Sequence, residues 1–242
     1  MTRLFNAMRT DFMVQVRNQL YAIGIGVGVL VAVVLSQLLN VNQIPTAIPV
    51  LVLLVAGGST LLYVAGMILF EKDEGTLNAV IVTPLRTSEY LWSKIITLTT
   101  LATLESVVMV GGSLALIYAF GNPIVMPNIP ILLLGAIVMG VMYTLIGIIM
   151  IVRYDKITDF LVPAVMVATL LQLPFVHFLG FVVHPAFLIL PTSAPTMLTQ
   201  ASFISLEGWE WAYTLIYNTV LLIGLSAWAY RAFQTHIVEK VG

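Results

Sequence analysis

Very little in this sequence could carry covalent chemistry. Of its 242 residues only 9% are charged and none is cysteine, which excludes thiol nucleophiles, disulfides and thiolate metal sites. There is no nucleophile elbow, no HExxH pair, no pair of carboxylates within an apolar stretch and no Gly-x-x-x-x-Gly-Lys-Ser/Thr phosphate loop. Basic residues form no cluster of the kind nucleic acid would need. The expected catalytic set is empty, and no metal site is expected. If nucleotide hydrolysis drives this protein, another chain performs it.

Three features remain. Glu105 lies ten residues past Ile95 inside an apolar run, a distance of ~15 Å along a helix and so near the middle of a bilayer. A carboxyl group there costs a few kcal/mol and faces a bundle interior or a wet cavity, which makes it a candidate for a substrate path or an interhelical contact. His177 and His184 are seven residues apart, two helical turns, too far to share one metal, so packing is expected. The third feature is a charged stretch from Glu71 to Lys94 that carries seven of the charged side chains.

The elements that must position these groups are read from hydropathy. Hydrophobic residues make up 60% of the chain, and no charge occurs from Asn18 to Phe70, Ser106 to Val152 or Phe160 to Leu206. Each run is more than twice the ~20 residues one membrane helix needs. The reading is an all-α integral membrane protein, one transmembrane domain over 1-242 with six spans at about 20-39, 47-70, 95-120, 131-152, 161-182 and 211-230. Asn40 to Pro45 and Gly121 to Pro130 break the runs, and Pro163 and Pro174 should kink or end the fifth span. No cleavable signal is expected, since the first apolar run starts near Leu20 and lacks a cleavage-site pattern.

Residues 1-18 place Leu4, Phe5, Met8, Phe12 and Val16 on one helical face and Arg3, Asn6, Thr10 and Arg17 opposite, as an interfacial amphipathic helix would. The segment 184-209 is apolar at Phe187 to Leu190 but interrupted by Pro191, Pro195 and Ser/Thr residues. Six spans put all ten Lys and Arg on one side, the cytoplasmic side by the positive-inside rule. A seventh span would send Arg231 and Lys240 outside, so 184-209 is read as a re-entrant or interfacial element on the outer side, with both termini cytoplasmic. Trp92, Trp209, Trp211 and Trp228, with Tyr90, Tyr213, Tyr217 and Tyr230, mostly fall at or near span ends and read as interface anchors rather than a ligand cage.

This topology places the 71-94 stretch in the cytoplasm. Leu77, Val80 and Ile81 are spaced three and four apart, so a short helix there would show an apolar stripe that a partner's groove, or lipid headgroups, must cover. Pro84 stops that helix, and Thr87 or Ser88 can cap the next, with Glu89 favourable in its first turn.

Glu71-Lys-Asp-Glu-Gly-Thr-Leu77, followed by Thr83-Pro-Leu85 and Ser88-Glu-Tyr-Leu-Trp-Ser-Lys94, resembles the signature loop of ABC-2 type transporter permeases, the membrane subunits of type V ABC exporters. The likeness extends over the whole chain, and the short drug-export permeases that include the fluoroquinolone exporters are the most similar in length and layout. The resemblance implies a coupling helix gripped by a separate ATP-binding subunit that holds ATP and Mg, a second permease chain, no cofactor in this chain, and a site in the cell membrane. On that basis Glu71 and Glu74 supply charge at the coupling-helix N-terminus, and Gly75 allows close backbone approach beside Thr76. Leu77, Val80 and Ile81 are the knobs, and Pro84 with Leu85 sets the turn back to the membrane. The implied function is export of a hydrophobic or amphiphilic drug or lipid-like substrate. The competing reading is a secondary transporter driven by an ion gradient, with Glu105 carrying the proton.

Overall fold

The computed structural model describes residues 2–73, 75 and 85–238, and the described chain is helical with no strand. Among the described residues six helical stretches are long and apolar enough to cross a membrane: Leu20–Leu38, Val41–Lys72, Thr87–Ala119, Ile129–Ile151, Ile157–Phe178 and Gly208–Ile237. The chain is thus a multi-pass membrane protein. In chain order the helices are α1 (Thr2–Arg17), α2 (Leu20–Leu38), α3 (Ile44–Leu51), α4 (Gly57–Asp73), α5 (Thr87–Ala119), α6 (Ile129–Ile151), α7 (Ile157–Gln172), α8 (Pro174–Phe178), α9 (Ser193–Gln200) and α10 (Gly208–Phe233).

The second, third and fourth spans form the centre. Two thirds of the second span is buried, against 17% of the last, whose apolar side chains Ile216, Val220 and Ile223 face outward. That gradient suits lipid, where an outward Ile costs nothing and the packing between helices must come from close contact rather than from exclusion of water. The closest packing is α2 on α5. Gly24, Gly28, Ala32 and Ser36 recur every fourth residue and form the buried stripe of α2. A Cβ on Gly28 would stand 3.1 Å from both the carbonyl oxygen of Glu105 and the Cγ1 of Val108, so only glycine permits this approach.

The second span is composite. α3, which holds Pro49, passes through a π-helical segment, Val52–Ala56, into α4. The widened turn loosens backbone bonds that lipid cannot replace. Side chains replace them: Gln172 Nε2 of α7 donates to the Leu54 carbonyl at 3.2 Å, and the Thr60 hydroxyl donates to the Ala56 carbonyl at 2.5 Å.

One boundary differs from that read in the sequence. The third span was expected from about Ile95, with Ser88 to Lys94 as a separate loop helix; instead α5 is continuous from Thr87. No Gly or Pro interrupts 87-94, so nothing stops the helix from running on. Its N-cap is Arg86 rather than Thr87 or Ser88, and Glu89 reaches back to accept the Arg86 N–H at 2.9 Å. The fifth span ends where expected to be shaped, at Leu173, with Pro174 opening the single-turn α8.

Between the last two spans, a 3-10 turn (Pro185–Ile189) leads into α9, whose residues Ser193 to Thr199 are all buried. α9 packs on α6, α10 and α3, and at Gly135 the two backbones are so close that a Cβ would meet the Thr199 backbone at 3.0 Å. The polar groups of this segment are satisfied within the protein. Tyr213 and Tyr217 of α10 donate to the carbonyls of Leu188 and Ile189 at 2.6 and 2.5 Å, Thr192 donates to the Leu171 carbonyl, and the Asn128 N–H donates to Ser202 at 2.6 Å. The two tyrosines therefore fasten the segment between the last two spans, a role beyond that of interface anchors. His177 Nδ1 accepts the His184 N–H at 3.2 Å, and His184 Nδ1 accepts the Ala186 N–H at 3.1 Å, so the pair shapes this corner.

Candidate functional site

The charged stretch after the second span rests on a buried ionic cluster. Lys94, on the second turn of α5, is 0% exposed. Its ammonium donates to Asp11 Oδ1 at 2.5 Å and to a carboxylate oxygen of Glu71. Ser93 donates to the other Asp11 oxygen at 2.5 Å, and the Tyr90 hydroxyl donates to Glu71 Oε2 at 2.6 Å. One turn deeper, Gln15 Nε2 donates to Thr97 Oγ1 at 2.9 Å. A buried lysine between two carboxylates stays charged and is costly to disturb, because removing either sign strands the other.

Three elements meet at this point. Asp11 and Gln15 come from α1, Glu71 from the last turn of α4, and Tyr90, Ser93, Lys94 and Thr97 from α5. Spacing explains the α5 set, since positions 90, 93, 94 and 97 fall on one face of a helix. The same reasoning applies to positions 11 and 15 of α1. Beside the cluster, Lys72 donates to the Tyr154 carbonyl at 2.6 Å and pairs with Asp155 at 3.5 Å, which ties the end of α4 to the carbonyl end of α6.

A second cluster lies inside the bundle. Glu105 is 1% exposed, and its Oε2 accepts from Ser59 at 2.7 Å and from Tyr63 at 3.3 Å. Its Oε1 is buried without a hydrogen-bond partner among the described residues. Both donors come from the first turns of α4, directly after the π-helical segment, and Gly24 of α2 covers the group.

Residues 2–241 match the fluoroquinolones export permease protein family. The chain belongs to that family. Two relatives, fluoroquinolones export permease proteins of Mycobacterium tuberculosis strains CDC 1551 / Oshkosh and ATCC 25618 / H37Rv, are each 29% identical over 245 aligned residues, which covers 100% of this chain and 99% of theirs. Membership is consistent with the ABC-2 type permease resemblance and is that of a transport protein rather than an enzyme.

In this family member the residues expected from the sequence fall into two groups. Glu74, Thr76, Leu77, Val80, Ile81 and Pro84, and with them the coupling helix, lie outside the described residues. Glu71, Gly75 and Leu85 are described. Glu71 accepts from the Lys94 ammonium and the Tyr90 hydroxyl. Gly75 takes a φ of +69° and its N–H donates to the Lys72 carbonyl at 3.1 Å, ending α4. What this structure demands of it is the left-handed conformation, since among the described residues a Cβ would meet nothing within 4 Å. Leu85 packs against the central core on re-entry.

Sequence reasoning missed Asp11, Gln15, Tyr90, Ser93 and Lys94, and also Ser59 and Tyr63. A signal was present for two of them. Asp11 is the single acid of a basic helix, and Lys94 is followed by ten residues without a charge. The partners could not be read off, because they lie 83 and 23 positions from Lys94.

Proposed function

We propose that this permease is the membrane-spanning subunit of an ATP-binding cassette exporter that moves hydrophobic or amphiphilic drugs outward, fluoroquinolones among them as the names of its relatives suggest. A separate ATPase supplies ATP and Mg and grips the loop after α4, with Leu77, Val80 and Ile81 as knobs. A second permease chain completes the pathway. The chain lies in the cell membrane with both termini cytoplasmic, and 184-209 is an outer re-entrant element that its protein surroundings shield.

The observation that supports this most is the Asp11–Lys94–Glu71 cluster. It lies at the base of the loop and joins α1, α4 and α5, so a push on the loop reaches three helices at once rather than being lost in a flexible linker. The test is to replace Leu77 and Val80 with Asp in the complex with its ATPase. Loss of coupled transport with the permease still folded is the expected result. Undiminished assembly and coupling would overturn the reading.

Glu105 favours one second reading, since a buried carboxyl with one unpartnered oxygen is the kind of group that carries a proton. Under that reading the chain alone transports in vesicles that have a proton gradient and no ATPase.

A further inference from the structure

α1 presents two different faces. The side turned to the protein is polar at its centre, with Asp11 and Gln15 at 7% and 0% exposure, whereas Phe5, Phe12, Met13 and Val16 point outward at 67, 40, 55 and 56%. The apolar side expected of an interfacial helix is thus left uncovered by this chain. It forms an open groove of about 570 Å³, and the basic residues lining it are Arg9 and Arg17.

The position of Arg9 is the informative part. At ~100° per residue it falls between Val16 and Met13, inside the apolar sector rather than at its edge. Arg17 lies two turns further on, ~12 Å along the axis. A guanidinium flanked by exposed apolar side chains needs an anion once that sector enters a headgroup layer. The one carboxylate of the helix cannot serve, because Asp11 is on the opposite side and is engaged by Ser93 and Lys94. Among the described residues no carboxylate lines the groove.

The geometry points to α1 as a binding surface for an anionic phospholipid, with acyl chains over Phe5, Phe12, Met13 and Val16 and the headgroup phosphate held by Arg9 and Arg17. A neutral apolar sector would bind any lipid; two arginines in or beside it select negative charge. The opposite face of the same helix carries Asp11 into the Lys94 cluster, so lipid bound outside steadies the cluster inside. Only the assignment to the cytoplasmic leaflet rests on the proposed topology.

The experiment titrates the full-length purified protein in neutral detergent with fluorescent phosphatidylglycerol and fluorescent phosphatidylcholine. Wild type is expected to prefer the anionic lipid by tenfold or more, about fivefold for each arginine. The R9Q/R17Q variant, folded by gel filtration and helix content, is expected to bind both equally, while R9K/R17K keeps most of the preference and K156Q keeps all of it. Equal binding by wild type, or a preference that survives R9Q/R17Q, overturns the proposal. A nitroxide on Met13→Cys, unique because the chain has no cysteine, gives a second readout in nanodiscs containing phosphatidylglycerol. Access to lipid-soluble oxygen is expected; protection that appears only on dimerisation assigns the groove to a second copy and overturns the proposal. Neither readout involves an ATPase or transport, so failure here leaves the proposed function standing.

Discussion

The carboxylate of Asp11 lies 2.5 Å from the ammonium of Lys94, which fastens a helix from the first sixteen or so residues to the start of the third span. Glu71 approaches the same ammonium from the end of the second span. One buried cation therefore holds three elements that are far apart in the chain.

Lys94→Met is expected to destabilise the protein by about 3–5 kcal/mol, because it strands two buried carboxylates. The triple variant D11N/E71Q/K94M, which removes the charges together, should recover most of that loss. Thermal unfolding followed by fluorescence-detected gel filtration checks both. Equal destabilisation in the single and triple variants would show that Lys94 matters through packing and not through charge.

The stripe on α2 predicts a cross-link. A Cβ on Gly112 would stand 3.0 Å from the Ala32 Cβ, close enough for the pair A32C/G112C to form a disulfide on mild oxidation. Adding Gly28→Leu should abolish it, since the new side chain collides with the Glu105 carbonyl and Val108 and pushes the helices apart. Migration on a non-reducing gel reads the result.

Tyr213→Phe and Tyr217→Phe each remove one hydrogen bond to the segment between the last two spans, at about 1 kcal/mol apiece. Hydrogen exchange across 185-200 should rise in the double variant by about an order of magnitude or more, with the Lys94 end of the bundle unaffected. Unchanged protection would mean that burial of α9 alone holds the segment.

Glu105→Gln keeps an acceptor for Ser59 and Tyr63, so folding should be retained. If transport is ATPase-driven, drug export persists within a few fold; if a proton carried by Glu105 drives it, E105Q abolishes export. Counterflow in vesicles with and without the ATPase distinguishes the two.

Gly75→Asn should preserve the turn after α4, because Asn tolerates positive φ, whereas Gly75→Val should cost about 1–2 kcal/mol at that residue. Comparison of coupled ATPase stimulation in the two variants tests whether the end of α4 must be sharp.

The sequence by itself determined the solvent. Apolar runs such as Phe160 to Leu206 are longer than two bilayer crossings and contain no formal charge, so the helices, their number and the breaks at Asn40 to Pro45 and near Pro174 followed from the chain's need to satisfy its own backbone in lipid. The loop after the second span was legible for the same reason, as a charged interruption between apolar stretches. What only the tertiary structure decided were relations between distant residues. Lys94 looked like the last charge of a loop, and only packing showed it buried between Asp11 and Glu71. At the π-helical segment Val52–Ala56 the Leu54 carbonyl is met by Gln172, 118 positions away on another helix, a partner that local sequence could not name. In the N-terminal helix periodicity found the amphipathic faces, but it could not say that the polar Asp11 and Gln15 turn inward and the phenylalanines outward. A helical wheel records spacing within one helix; which side meets protein depends on the groups that neighbouring helices offer.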